Sequence, residues 1–453
     1  MTTSEPYWTT AFQPTGNRWA ENCNGGSVLS VKKDAADGRL EWVVGSQTSD
    51  TQFLGLHSNG KVIRFSSTDE SDTTFNLNED EIVFTRPLVA TGDPLMPIFS
   101  PPSGSIYSNA IPVTEGVLYV DSSNTLRFDT ENTTSTIEGI TDPLLDAHIT
   151  YSSTNRMWAV YTYMTDQRYD HGILGDRAEG YHLTILKQVG DGTSLLQVVN
   201  DIVLQDDDFI VFEDLAPVWT DVDQDGIDDL LTTIATSRQG AAMRVYLLNA
   251  DGTVKGQVQS HYIGKGNRWL HKIAHAPTGP NGEWEILDCR TPHIGGIVRY
   301  YQYDGTSKLV EVARLSSQSY TSHKIGSRNI DQALVADLNG DGIPELIIQN
   351  QRRTKIVGLQ RTSSGIEEVW SVPLDSAIHS NFAVSCAEIG SAQLVFGTTD
   401  DQLYTVSFTT KNGTMGMNGT LDLDGPVAAC RSCSMQWSGI LSLFIVIYHL
   451  WLY

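Results

Sequence analysis

The sequence predicts an all-β fold, a seven-bladed β-propeller, and three observations carry that expectation. Short runs of Val, Ile, Leu, Tyr and Phe are separated by Gly, Asn, Asp and Ser, and no long stretch repeats with a 3.6-residue period. Two-residue turn signals recur between such runs, at Asn59-Gly60, Asp191-Gly192, Asp251-Gly252 and Asp304-Gly305, each suited to a type I′ hairpin. Two acidic strings, Asp221-Val-Asp-Gln-Asp-Gly-Ile-Asp-Asp229 and Asp337-Leu-Asn-Gly-Asp-Gly-Ile-Pro-Glu345, repeat together with a second pair, Ser260-His-Tyr-Ile-Gly264 and Ser322-His-Lys-Ile-Gly326.

The period follows from these strings. Gly282 lies roughly midway between Gly226 and Gly342, which makes the unit about 58 residues, room for four strands and their turns. At that period residues 20–425 hold seven units, expected to begin near Ser27, Val83, Ala147, Phe212, Leu270, Gln332 and Ala383. Solenoid repeats are shorter, about 20–30 residues, and sandwiches do not repeat. The expected organisation is an N-terminal segment over 1–19 that helps close the ring, a propeller over 20–425 that is clearest at 210–350, and a spacer with an apolar tail over 426–453.

Composition narrows the function. The chain has 453 residues, 54 Asp+Glu against 30 Lys+Arg and a net charge of −24, which argues against a nucleic-acid partner. At 40% hydrophobic and 19% charged it can bury a core and is not a disordered chain. No run of about 20 apolar residues marks a polytopic membrane protein. Five cysteines are too few and too scattered for a disulfide scaffold. The first 30 residues show no apolar secretory signal, yet small residues at Ala428–Cys430, a polar spacer from Arg431 to Gly439 and the apolar run 440–453 have the layout of a GPI-attachment signal. Sequons at Asn132, Asn412 and Asn418 point weakly the same way. The expected location is extracellular or at the cell surface, with membrane attachment through the tail.

The two acidic strings resemble the loops of FG-GAP/VCBS-type repeats, the propeller units of integrin α-subunits and of many secreted microbial proteins, and Phe396-Gly397 in the last unit echoes the same repeat. The resemblance is strong over about 210–350 and consistent in period over 27–425, and it implies a propeller that binds calcium in some units. The residues agree. Calcium takes six to eight oxygens, and alternate residues of a tight loop converge on one ion. Asp221, Asp223 and Asp225, the Ile227 carbonyl and Asp229 would serve one ion; Asp337, Asn339, Asp341, the Ile343 carbonyl and Glu345 would serve another. An EF-hand would need Glu at position twelve, where these loops have Thr232 and Ile348. About two structural Ca2+ ions are therefore expected, with the intervening unit at Pro277 and Pro280 metal-free.

A second constellation lies ahead of the expected inner strands: Asn17, Arg18 and Trp19; Asn267, Arg268, Trp269 and His271; Arg328, Asn329 and Asp331; His379 and Asn381. Units of one phase would bring these to one end of the channel, where arginines, amides and an indole suit a polar ligand such as a glycan or an acid. His271 and Asp331 are the only evident acid–base candidates. There is no nucleophile elbow, phosphate-binding Gly-rich loop or zinc-protease helix, and Cys430-Arg-Ser-Cys433 stands outside any βαβ context. The function expected is a calcium-stabilised recognition module for a glycan or protein, with a carbohydrate-active lyase or hydrolase as the alternative.

Overall fold

The computed structural model describes residues 14–46, 52–66, 73–75, 89–91, 96–98, 103–113, 116–130, 134–189, 195–205, 209–317 and 319–410. The expected Asp191-Gly192 turn, the three sequons and the apolar tail lie outside them. The described residues are all-β, and no helix among them is long and apolar enough to cross a membrane.

Strands that follow one another in sequence pair antiparallel into four-stranded meanders: 40–75, 110–136, 150–203, 218–259, 270–315 and 334–373. The 150–203 and 218–259 meanders are joined through the short strand Ile210–Phe212 by a single bridge, Gly180 to Phe212. The last meander, 383–409, has three strands in sequence and takes its fourth from the other end of the chain, since Val28–Ala35 pairs along its whole length with Gln402–Thr409. This strand was expected to open the first unit; it closes the last one instead. The first unit begins at Leu40 and a further meander at Ala110, while the expected opening near Val83 lies outside the described residues. The units at Leu270 and Ala383 begin where expected, and those near Ala147, Phe212 and Gln332 open at Thr150, Val218 and Leu334.

Burial explains the sequence pattern within each meander. First strands such as Leu270–Ala276 and second strands such as Asp229–Thr236 are buried at every position, because neighbouring sheets cover both faces, so they read as continuous runs. Fourth strands meet water and alternate or open out, as in Leu309–Leu315 and Val28–Ala35. The cores lie between sheets. Ile286 and Tyr301 pack with Leu231 and Val245, Leu346 and Val357 with Ile273 and Leu287, and Phe382 and Leu394 with Leu334 and Ile347. Leu40, Val43 and Phe53 of the first sheet pack with Ala383 and Val395 of the last. Removing one such side chain to Ala costs about 2–5 kcal/mol. This is the sheet arrangement of a β-propeller.

Amide clasps fasten sheet to sheet. The Asn381 side chain donates to the Val43 carbonyl and accepts from the Val43 N–H (2.9 and 2.8 Å), and Asn109 does the same with Ile149 (3.1 and 2.8 Å). The segment 14–26 is a strap across the first strands: the carbonyls of Pro14, Thr15 and Arg18 accept from the N–H groups of Tyr151, Trp219 and Val335, and Asn17 clasps His275 (2.9 and 3.0 Å). A Cβ on Gly25 or Gly26 would fall about 2 Å from the backbone of Leu338 or Thr409, so only glycine lets the strap leave between these sheets. A Cys23–Cys386 disulfide with a sequence separation of 363 residues fixes it there. Five scattered cysteines hid this one long-range bridge, whose partners the spacing does not indicate.

The hairpin turns differ from expectation in type. Gly60, Gly252 and Gly305 have φ of +84, +86 and +76°, but Asn59, Asp251 and Asp304 do not enter the positive region. They act through their side chains: the Asp304 carboxylate accepts from the N–H groups of Thr306, Ser307 and Lys308, closing the turn without a type I′ backbone.

Candidate functional site

Antiparallel alternation sorts the loops to two ends. The loop from first to second strand, which holds Asp221–Asp229 in one meander and Asp337–Glu345 in another, opens at one end; the connections into first strands and the second-to-third turns open at the other. Asn267, Arg268, Arg328, Asn329, His379 and Asn381 belong to this second end, called here the mouth.

Asn17, Arg18 and Trp19 do not belong to the mouth. They precede Val28–Ala35, an outer strand, so the phase argument that placed them fails, and the strap holds them inside the hub. Trp19 packs edge-on against Trp284 (4.9 Å between ring centres), which sits in the turn at the acidic-loop end. Arg18 is 1% exposed and pairs with Asp331 at 2.6 Å, its guanidinium also donating to the carbonyls of Lys272 and Ile273. Beside it the Lys272 ammonium meets the Asp214 carboxylate and the Ala216 carbonyl (2.8 Å), and burial pulls that lysine down to about 8. Burial likewise raises Asp331 and holds His271, near Arg18, well below the usual imidazole range. Arg18, Asp331 and His271 are thus committed to the hub, and His271 bonds Ser322 (2.8 Å), not Asp331. Asn17 and Asn381 are the clasps described above. Lys272 and Asp214 escaped the sequence reading; a lysine inside the apolar run Leu270–Ala276 was the available signal.

The mouth is half closed. The turn 166–178 reaches over it, with Ile173 and Leu174 packed on Leu215, Ala216, Trp269 and Ile330 and the Ile173 carbonyl accepting from Gly326 N–H (2.7 Å). Arg328 spans the opening as a strut. Its guanidinium bonds Asp146 (2.9 Å) and Asp176 (2.6 Å), lies 3.9 Å from the Tyr107 ring centre, and crowds Gly175, whose φ of +115° and missing Cβ leave it room. Burial, with the neighbouring Asp176 charge, pushes Asp146 up to about 7. Trp269 is buried, donates to the Glu213 carbonyl (2.9 Å) and lies parallel to His271 and His293, with His323 edge-on; His293 and His323 share a hydrogen bond of 2.8 Å. Glu213 is buried against His171 and pushed up to about 6 by that burial. Asn329 accepts from Asp331 N–H and caps its own turn.

The open half is a cavity of about 330 Å3 lined by Glu41, Trp42, the 324–329 loop and His379. His379 and Glu41 pair across it at 2.7 Å, and Arg39 holds the other Glu41 oxygen at 2.9 Å. Three residues of the sequence-predicted set, Arg328, Asn329 and His379, therefore share one cavity; Asn267 and Arg268 stand outside it, exposed.

At the opposite end the carboxylates of Asp221, Asp223 and Asp225 bring oxygens within 4.8 Å of one another. Lys255 bridges Asp223 (2.9 Å) and Asp225. Asp229 is turned inward, its two oxygens accepting from Val222 and Leu248 N–H groups (3.0 and 2.9 Å), and burial pushes it up to about 7. In the second loop Asp337 accepts from Gly340 and Gly342 N–H groups, and Gln360 donates to both Asp341 oxygens (2.9 and 2.7 Å) and to the Ile343 carbonyl (3.2 Å). Glu345 is buried; one oxygen accepts from Leu338 N–H (2.9 Å), the other has no hydrogen-bond partner among the described residues, and burial pushes the carboxyl up to about 8.

No protein-family model matches the chain, and no curated protein matches it in sequence. Among solved structures it is similar to the WD40 β-propeller domain of Doa1, at 10% identity and a TM-score of 0.37 over 85% of this chain and 97% of that one. It is also similar to the β-propeller domain of Myceliophteria thermophila Cps50 (Swd1), at 8% identity and a TM-score of 0.40 over 82% and 97%. The propeller assignment stands on the sheets described above.

Proposed function

We propose that this chain is a seven-bladed, calcium-stabilised β-propeller of FG-GAP/VCBS type that acts as an extracellular or cell-surface recognition module, taking a glycan or protein ligand at the mouth. The single observation that carries the ligand reading is the polar cavity shared by Arg328, Asn329 and His379 on the half of the mouth that the 166–178 turn leaves open. The acidic loops support calcium: their donors are all oxygen, the chemistry of a hard cation, and the orphaned Glu345 oxygen and the crowded Asp221, Asp223 and Asp225 carboxylates are groups a cation would satisfy. Asp229 is a backbone anchor in this proposal, not a ligand. Ions so placed would hold turns and perform no chemistry. The disulfide supports passage through an oxidising compartment, and GPI attachment through 426–453 belongs to the same proposal.

The alternative, a carbohydrate-active enzyme, is favoured by the His379–Glu41 pair, an acid and a base on one cavity wall. One experiment addresses both. Wild type and His379→Ala are applied to a glycan and peptide array, and each retained glycan is then incubated with wild type and analysed for cleavage. Binding that His379→Ala weakens about tenfold or more, with no cleavage, is expected; cleavage that His379→Ala abolishes would replace recognition by catalysis. Ligands held equally by both proteins would remove the cavity from the function.

A further inference from the structure

We infer that the mouth-end surface of the 270–315 and 334–373 meanders is a docking site for an acidic protein segment that carries aliphatic side chains, an inference that rests on the recognition reading above. Four segments meet there. The His293–His323 bond, the packing of Trp269 on both rings, and the Gln351 side chain, which donates to the Pro292 carbonyl (2.7 Å) and accepts from Gly295 N–H (3.2 Å), hold 265–269, 291–296, 322–328 and 351–353 together.

Their charge is one-sided. Residues 260–269, 291–296, 316–330 and 351–354 contain no Asp or Glu, on a chain of net −24. Lys265, Arg268, Lys324 and Arg352 are exposed, and none of them takes part in an ion pair among the described residues. Carboxylates bordering the patch are already engaged: Asp170 with Arg177, Asp146 and Asp176 with Arg328, Glu213 with His171. Elsewhere several cations are matched by carboxylates, as Lys33 is by Asp375, Lys61 by Asp37 and Lys355 by Glu368. An unmatched basic cluster on an acidic protein raises the local concentration of an anionic partner and orients it.

The apolar residues choose among anions. Ile294 is 81% exposed and Ile325 62% exposed; Ile294 directly follows His293, and Ile325 lies two residues after His323, the two histidines that share a hydrogen bond. Branched aliphatic side chains offer a sugar ring or a nucleobase no stacking face, whereas they bury well against Leu, Ile or Val of a peptide. Charge and apolar contact together therefore specify an acidic segment with aliphatic anchors.

The test uses the full chain and a twelve-residue peptide of alternating Asp/Glu with three leucines, measured by fluorescence anisotropy at about 50 and about 300 mM salt. Binding is expected at the lower salt and should weaken about tenfold at the higher. Arg268→Glu and Ile294→Asp, both outside the cavity lining, should each weaken it about tenfold or more. A peptide with serine in place of leucine should bind as weakly as the Ile294→Asp variant binds the parent. Tighter binding of a sulfated polysaccharide or single-stranded oligonucleotide, indifferent to Ile294→Asp, would overturn the inference. So would concentration-dependent stacking of the chain on itself that Arg268→Glu and Asp223→Lys each abolish. Peptide binding lost in Arg268→Glu and Ile294→Asp while both keep their array ligands supports the patch apart from the cavity, and peptide binding kept by both variants overturns the inference while leaving the cavity reading untouched.

Discussion

The two ends of this molecule handle charge in opposite ways. At the acidic-loop end carboxylates crowd within nine residues of one another, and backbone N–H groups, Lys255 and Gln360 engage several of their oxygens, leaving the orphaned Glu345 oxygen. Toward the hub and mouth, charges are matched over long distances: Arg18 with Asp331, Lys272 with Asp214, Arg328 with Asp146 and Asp176. The first kind of site survives as a motif because its geometry is encoded in spacing. The second exists only once the sheets are stacked, so its strength is tied to the assembly of the whole ring.

The largest expected effect breaks the long-range side of that contrast. Arg18→Ala leaves Asp331 buried without its partner, and loss of one member of a buried pair costs about 3–5 kcal/mol. Because the strap also carries Cys23, the variant should unfold at lower denaturant and show faster modification of Cys23 under mild reductant. Replacing both partners, Arg18→Met with Asp331→Leu, should recover most of the loss, since an apolar pair needs no ionic match. A double variant as unstable as the single one would show that the strap depends on the guanidinium bonds to the Lys272 and Ile273 carbonyls more than on the ion pair.

Asp146 is the next lever. Its carboxyl is pushed from 3.8 up to about 7 by burial and by Asp176, against the pull of Arg328. Between those values the native state holds a proton that the unfolded chain has released, so stability falls as pH rises from about 4 to 7. The contribution is on the order of 3 kcal/mol across that window. Asp146→Asn should flatten the wild-type slope there, read as the difference between the two proteins' denaturant midpoints at each pH. Parallel curves would mean that the strut keeps Asp146 ionised throughout.

The same contrast explains what the sequence made legible. Fold class, the two acidic loops and the openings at Leu270 and Ala383 were readable because each rests on local period or spacing. Val28–Ala35 was misassigned because its apolar alternation says strand but not which sheet it joins, and that error carried Asn17, Arg18 and Trp19 to the wrong place. Arg328, Asn329 and His379 were found together since a repeat of fixed phase brings equivalent junctions to one end. Their partners Asp146, Asp176 and Glu41 lie in other units, and the Cys23–Cys386 pairing has no local mark at all. Position in a repeat is encoded; contact across the ring is not.

Calcium sharpens the comparison from the other side. In metal-stripped protein, about 1 mM Ca2+ should raise stability by about 1–3 kcal/mol for each loop that binds with a dissociation constant near 10–100 µM, and EGTA should reverse it. An unchanged melt after loading, with metal content measured, would end the calcium proposal. Asp337→Ala removes the acceptor of the Gly340 and Gly342 N–H groups and should lower both basal stability and the calcium increment.

The smallest expected effect separates the two loops. Lys255 sits between Asp223 and Asp225 as a positive charge, where a cation serving both carboxylates would have to displace it. Gln360 makes the comparable contact at Asp341 with an uncharged amide, and an amide oxygen can itself face a cation after rotation. The Asp337 loop should therefore bind calcium first and the Asp221 loop more weakly. Lys255→Met keeps the stem of the side chain, frees two carboxylates and should tighten the weaker site by about three- to tenfold, visible as a second calorimetric step moving toward the first. Gln360→Met should instead weaken the tighter site. If both variants shift binding in the same direction, the two loops do not differ through these two side chains, and the charge contrast between them has no part in metal selection.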